Sequence, residues 1–487
     1  MTNKKNKQKK LQHNLALTSL PYEVKTSSSL GRYLVASKNI SYGETIITEE
    51  PIAVGPALGV NRACCIGCFI QLDSESHEKC EKCNFPVCKE NCTKYHSKAE
   101  CDFFKEKSLS EKLTFNELFD LLFPLKVLFL KTASPEKFEI VQKMEAHIEE
   151  RKLNKELWEK YQHQYVSKIQ SLINFSEEEI QFVLGVIDVN CFELGDQQKQ
   201  IRALYPSAFL MSHECVCNTR HTDDPQTNVL KVMACRAIRK GESITINYGY
   251  TLQGTLMRRQ YIYEGKYFWC TCKRCSDPTE LRTYISALVC KNCEDGKVLP
   301  VDSLDQGGSW NCNKCSLTLQ GDKVSSLLRA LYNELEEIGP HNVKKQEEFL
   351  SKYKNVLGAN HYLFLSAKYS LCQILGKMDG YVINELSEEY LRKKETYCRQ
   401  LLAVVGILEP GNSRLRGMLL YELHAPIMVS LTRQIQEQKI SVNKFKSSVK
   451  EVVRLLTESF NILKLESEGT GEYEISIAAK QAVDSMT

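Results

Sequence analysis

Twenty-one cysteines stand in this sequence, and most of them fall into close-set pairs and triplets. The first cluster reads Cys65-x2-Cys68, Cys80-x2-Cys83, Cys88-x3-Cys92 and His96-x4-Cys101. Thiolates two or three residues apart on a tight turn can take two corners of a tetrahedron, and soft sulfur donors favour zinc over calcium or magnesium. Eight donors in so short a stretch predict two cross-braced ions: Cys65, Cys68, Cys88 and Cys92 on one, and Cys80, Cys83, His96 and Cys101 on the other. Cys64 beside Cys65 leaves the register open, and Cys65 gives the commoner spacing. Further on, Cys290-x2-Cys293 and Cys312-x2-Cys315 read as a zinc ribbon. The triplet Cys270-x-Cys272-x2-Cys275 lacks a fourth donor, for which the spacing offers Cys215 or Cys217 upstream. About four structural zinc ions are expected in all.

A disulfide framework is the competing use of so many cysteines. It needs an oxidising compartment, and the polar, lysine-rich stretch from Met1 to Lys10 has no apolar run that reads as a secretion signal. A reducing compartment, cytoplasm or nucleus, is therefore expected. No apolar stretch is long enough to span a bilayer, so no membrane partner is expected. The 64 basic and 60 acidic residues leave a net charge of +4, which gives no global field for nucleic acid. No helix with clustered arginines follows any cysteine knuckle, so direct nucleic-acid binding is not expected. The run Lys4, Lys5, Lys7, Lys9 and Lys10 reads as a solvated, disordered tail, with nuclear import or phosphate contact as the alternative.

These donors must be positioned by several domains, because 487 residues exceed one core at roughly 100–200 residues per domain. From Gly31 to Pro56, β-branched residues alternate with turn signals and predict short strands. From Leu109 to Glu178, Leu, Phe and Ile recur at helical spacing. Strand-like segments return at Phe182–Phe192 and Val229–Tyr248. From Lys323 onward the pattern predicts amphipathic helices only, with a break at Pro410-Gly411; pairs such as Leu363–Leu375 and Leu386–Leu408 suit a stacked lobe.

Several short motifs occur in a telling order. Gly31-Arg32-Tyr33-Leu34 is followed by the eight-donor cluster, then Leu204-Tyr205-Pro206, then Ser212-His213-Glu214-Cys215. After these come Gly241-Glu242-Ser243-Ile244-Thr245-Ile246-Asn247-Tyr248 and Phe268-x-Cys270-x-Cys272-x2-Cys275. In this order, over roughly residues 25 to 280, the chain resembles the SMYD family of SET and MYND domain proteins. Asp277-Pro278-Thr279-Glu280, the added ribbon and Pro410-Gly411-Asn412-Ser413 are most similar to its arthropod-type branch.

The resemblance implies an α+β fold: a β-rich SET domain split by a MYND zinc module and a helical insert, then a post-SET zinc site, a zinc ribbon and a helical C-terminal lobe. The implied divisions are a basic tail (1–20), the SET N-terminal part (21–60), the MYND module (61–102), the helical insert (103–180) and the SET core (181–250). The post-SET motif (251–280), the ribbon (281–320) and the helical lobe (321–487) complete them. It further implies methyl transfer from S-adenosylmethionine to a lysine of a protein substrate, histone or non-histone, by a monomer with transcription or chromatin partners. A zinc-rich scaffold, catalytically weak or inactive and acting in transcriptional repression, is the alternative.

Carried over residue by residue, Tyr248 becomes the catalytic phenol. Gly31, Arg32, Ser212, His213 and Phe268 become cofactor contacts. Asn190, Phe192 and Tyr267 become walls of the lysine channel, and Cys215 becomes the fourth donor of the post-SET zinc. Three positions depart from the family pattern: Ser212 in place of Asn, Tyr33 in place of the second Gly, and Lys266 in place of a second channel tyrosine, with Tyr267 one place later. The spacing around His96 also departs, and the family's nearby Trp is missing, which bears on peptide binding by the module more than on zinc.

Overall fold

The strands of the β-rich body come from two distant stretches of chain. The computed structural model describes residues 20–57, 64–72, 78–89, 92–195 and 200–486; the lysine run at positions 4–10 lies outside them. Tyr22–Ser27 and Gly31–Ala36 form an antiparallel hairpin, with Tyr22 opposite Ala36 and Ser27 opposite Gly31. Thr45–Glu49 then pairs antiparallel with Leu230–Ala234, which pairs with Thr219–Asp223. Ala53–Pro56 pairs with Gln200–Leu204, which pairs with Phe192–Gly195. A parallel pairing joins Ser212–His213 to Thr245–Ile246. Leu34, Ala36, Ile47, Val54, Ala203, Val232 and Ile244 are buried together where these small sheets meet.

Between the two stretches lie the first cysteine cluster and a helical insert. Its longest helix, Phe115–Ala133, opens on a reciprocal cap between Thr114 and Glu117. The segment Phe182–Phe192, read from sequence as strand, is instead the helix Glu177–Asn190, and the strand starts only at Phe192. The cause lies upstream: Ser176 and Glu179 form a capping box, and burial on several sides masks the helical period behind a nearly continuous apolar run. Within Val229–Tyr248 the strands are Leu230–Ala234 and Thr245–Ile246.

Beyond the triplet, four short antiparallel strands (Leu288–Val289, Lys297–Pro300, Trp310–Cys312 and Thr318–Leu319) carry the ribbon cysteines around a buried Trp310. Seven helices follow, from Gly321–Ile338 to Gly471–Met486, among them Glu388–Leu408 and Arg414–Gln436 on either side of Pro410-Gly411. None of the helices among the described residues is long and apolar enough to cross a membrane.

The helical lobe is seated on the β body through buried charge. Arg220, on the strand Thr219–Asp223, pairs with Glu466 and donates to the carbonyls of Asn412 (3.0 Å) and Ile462 (3.2 Å). Arg414 holds the same carboxylate at 2.9 Å and donates to His221 O, also at 2.9 Å. Asn412 N–H donates to Cys235 O at 2.9 Å. Gly411 permits that approach: at its φ of +94°, an added Cβ would lie 1.9 Å from the same carbonyl. Glu466 is buried beneath both arginines. Glu466→Ala should therefore cost about 3–5 kcal/mol, since one guanidinium would be left buried without its partner. Chemical denaturation of the two proteins measures this, and a loss below about 1 kcal/mol would mean that the joint does not hold the lobe.

Candidate active site and zinc centres

Sulfur separations decide what the cysteine clusters are for. A zinc–thiolate bond of about 2.3 Å places two sulfurs of one tetrahedron about 3.8 Å apart, whereas a disulfide needs about 2 Å. The observed distances are 3.7 Å for Cys68–Cys88, 3.6 Å for Cys80–Cys101, 3.6 Å for Cys290–Cys315 and 3.6 Å for Cys293–Cys312. For Cys215 they are 3.9 Å to Cys270 and 3.6 Å to Cys275. Four sets bring their donor atoms within 4.8 Å of one another: Cys65, Cys68, Cys88, Cys92; Cys80, Cys83, His96, Cys101; Cys215, Cys270, Cys272, Cys275; and Cys290, Cys293, Cys312, Cys315. The donor sets fit zinc in both chemistry and spacing.

Their surroundings fit as well. Main-chain N–H groups of Gly67, Asn292 and Lys314 donate to Cys65, Cys290 and Cys312 Sγ at 3.3–3.4 Å, which spreads thiolate charge. At Gly296 a Cβ would lie 2.5 Å from Cys293 Sγ, so only glycine leaves room for that knuckle. His96 turns Nε2 toward Cys83 Sγ (3.3 Å), and its other nitrogen faces the buried Glu100 carboxylate at 4.0 Å. A carboxylate behind a ligating imidazole orients the ring.

The third set has a charged foundation. Four thiolates around a divalent ion leave two negative charges, which burial makes costly. Arg258, fully buried, donates from Nε to Cys215 Sγ (3.1 Å) and from a terminal nitrogen to Cys275 Sγ (3.3 Å). Its guanidinium also pairs with Glu280 at 3.1 Å, which in turn holds Arg274 at 3.0 Å. Opposite charge keeps the Glu280 carboxyl below its ordinary range against the opposing pull of burial. Glu280→Ala should destabilise the fold by about 3–5 kcal/mol, because two buried guanidinium groups lose their carboxylate. Its thermal midpoint at a fixed zinc concentration tests this, and an unchanged midpoint would contradict it. Cys217 stays outside the set and donates to Thr219 O at 3.2 Å.

From this centre a short relay reaches Tyr248. His213 Nε2 lies 3.1 Å from Cys215 Sγ, and its Nδ1 accepts the Tyr248 N–H at 3.0 Å. One tautomer satisfies both contacts, with the proton on Nε2 pointing at the thiolate. Burial pulls the ring's pKa down to about 4, so it stays neutral. At its far end the Tyr248 hydroxyl donates to Met211 O at 2.6 Å. Burial also pushes the phenol up, and it remains protonated. The ring is thus fixed at both ends.

Tyr248 faces a cavity of about 510 Å³ whose walls include Asn190, Phe192, Phe209, Ile246 and Lys266. Asn190 is held by donating to Glu145 O (2.7 Å) and Val186 O (2.9 Å). Phe192 packs edge-on against Tyr205 and His221, at 5.5 Å from each. A second cavity of about 780 Å³ lies between the β body and the helical lobe, and shares His221, Ile246 and Asn247 with the first.

Of the expected cofactor contacts, His213 lies beside Tyr248, with Phe268 and Ser212 next to it. His213 has Tyr248 at 5.2 Å and Phe268 at 6.1 Å between ring centroids, and Phe268 is 37% exposed, which leaves a face open. Ser212 is the neighbour of His213 on the same strand. Arg32 lies 5.7 Å over the Phe209 ring and donates to Lys143 O. Gly31, at φ +62°, has open space where a side chain would be.

Tyr267 departs from its expected place in the channel. The helix Thr255–Lys266 ends one residue earlier, and Tyr267 takes a left-handed conformation (φ +59°) that turns its ring onto His147, 5.1 Å away. Lys266 lines the cavity instead. Tyr33 lies opposite Lys25 in the hairpin and lines neither cavity. Sequence reasoning missed Arg258, Arg274 and Glu280, and also the reach of the helical insert, whose Lys143, Glu145 and His147 touch Arg32, Asn190 and Tyr267. No local spacing announces any of these contacts.

Residues 31–249 match the SET domain family. The chain is 25% identical to "SET domain-containing protein SmydA-8, isoform A" of Drosophila melanogaster, over 82% of this chain and 88% of that one. It is 23% identical to "Histone-lysine N-methyltransferase ASHR1" of Arabidopsis thaliana, over 80% of this chain and 83% of that one. It is also 26% identical to "N-lysine methyltransferase SMYD2-B" of Xenopus laevis, over 52% and 61%. Among solved structures, the SET domain of LSMT bound to lysine and AdoHcy aligns over 96% of this chain and 88% of that one, at 10% identity and a TM-score of 0.32, too low to transfer a site. With a SET match over the two-part β body and zinc-spaced cysteines on both sides of it, this is a SET-domain protein. Over most of its length the chain is similar to the SmydA-8 proteins, and its other relatives include lysine methyltransferases.

Proposed function

We propose that the chain transfers a methyl group from S-adenosylmethionine to the side-chain amine of a lysine in a protein substrate. The observation that carries this reading is Tyr248, clamped between His213 and the Met211 carbonyl at the cavity wall. S-adenosylmethionine would supply an electrophilic sulfonium methyl, held by Arg32, Ser212, His213 and Phe268. The chain's own share is alignment and electrostatics. Because the Tyr248 hydroxyl spends its proton on Met211 O, its oxygen presents lone pairs to whatever lies in the cavity. A fixed oxygen beside a carbon that gains positive character lowers the barrier without rearranging during the reaction. Asn190 and Phe192 wall the cavity and limit solvent, which favours the neutral amine over the ammonium.

The larger cavity would take the flanking polypeptide, and Asn247, shared by both cavities, marks where a lysine would turn inward. The Asn412 side-chain amide and the Tyr362 hydroxyl, both buried there without partners among the described residues, suit main-chain amides. Sulfur spacings suited to metal and not to disulfides favour the cytoplasm or nucleus as the working compartment. Isothermal titration of the zinc-loaded chain with S-adenosylmethionine and with its demethylated product tests the reading. Micromolar binding of both is expected. No heat up to millimolar cofactor, on folded protein, would overturn it in favour of the scaffold.

A further inference from the structure

The cavity beside Tyr248 already contains a lysine. Lys266 closes the helix Thr255–Lys266, and its side chain forms part of the cavity wall. Its ammonium nitrogen lies 5.2 Å from the centroid of the Tyr248 ring and donates to Val189 O, one residue before Asn190. That carbonyl is its hydrogen-bond acceptor among the described residues, although an ammonium carries three protons to satisfy. A partly buried ammonium with one neutral acceptor is poorly compensated. Burial holds its pKa below the usual lysine value; Cys191, Asp188 and Glu193 raise it, and Arg202 lowers it. The neutral form of this amine is the nucleophile that the proposed reaction requires.

We propose that Lys266 is a methylation site of the chain's own SET domain, modified within the same molecule. The inference rests on the methyltransferase reading above. After the ammonium gives a proton to water, the Nζ lone pair forms the new N–C bond while the S–CH3 bond breaks and its electrons stay on sulfur. The products are Nε-methyl-Lys266, as its cation, and S-adenosylhomocysteine. Attachment to the helix end four residues before the zinc ligand Cys270 keeps the amine at its seat, so the step is unimolecular in protein once cofactor is bound. It also follows that an external lysine must compete with Lys266 for the space beside Tyr248.

The experiment uses the zinc-loaded full chain and S-adenosylmethionine with a deuterated methyl group, without added substrate. Peptide mapping by mass spectrometry locates the label, and titration of the same preparation measures cofactor binding. We expect one deuterated methyl on Lys266, in a fraction that at saturating cofactor and fixed time does not change when the protein is diluted. A Lys266→Met chain, which keeps a stem of similar length, should bind cofactor and lose that label. Cofactor binding with an unlabelled Lys266 would overturn the inference and leave the methyltransferase reading standing. Labelling that falls on dilution would overturn it too, since the amine would then come from another molecule. No cofactor binding at all would overturn both.

Discussion

Cys275→Ser should bind three zinc ions in place of four, and lose both cofactor binding and methyl transfer. The lost ion would be the one that joins Cys215, on the segment after Ser212–His213, to the later triplet. Structural zinc contributes an apparent 10–16 kcal/mol or so in small zinc modules, comparable to the roughly 5–15 kcal/mol by which whole domains are stable. Here the effect would reach the proposed reaction directly, because His213 rests on Cys215 and holds the Tyr248 N–H. Removing the ion frees the thiolate, then the imidazole, then the tyrosine. Arg258 would also be left facing unmatched thiols. Metal analysis, thermal unfolding and cofactor titration on the same preparation give the answer. Retention of four ions, or normal activity with three, would break the link drawn between zinc and tyrosine.

Tyr248→Phe should slow methyl transfer by roughly 10²–10³-fold, the loss typical of one preorganised electrostatic group. Cofactor affinity should change little, because the contact from the Tyr248 main chain to His213 survives the substitution. Stability should fall by about 1–3 kcal/mol, since Met211 O loses its donor. Single-turnover rates against a lysine substrate, set beside titration of the cofactor, separate the effects. A rate within a few-fold of the unchanged protein would remove Tyr248 from the chemistry.

How much of this was legible beforehand depended on the distance over which each contact acts. The paired knuckles around Cys65, Cys80, Cys290 and Cys312 are local, and spacing alone proposed the same partners that the structure brings together. Spacing could not choose between Cys215 and Cys217, and only the resemblance favoured Cys215. The helix at Glu177–Asn190 was misread because its inner residues are apolar all round, which hides the period on which the reading relied. The displacement of Tyr267 by Lys266 hung on a single residue: where one helix stops, and so which of two neighbours points inward. The Arg258–Glu280–Arg274 and Arg220–Glu466–Arg414 clusters were invisible because charged residues far apart in sequence leave no pattern in it.

The pairing of Thr45–Glu49 with Leu230–Ala234 carries a further consequence for the newborn chain. At about 5–20 residues per second of synthesis, the first strand waits on the order of ten seconds or more for its neighbour to leave the ribosome. During that interval its edge is open to any other extended segment. The knuckles of the first cysteine cluster can close on zinc at once, because their donors are near one another, and so a metallated nodule would form before the sheet that it interrupts. The last support arrives later still, when Glu466 reaches Arg220. A nascent chain of this design carries an aggregation-prone strand edge until the second half of its sheet has been made.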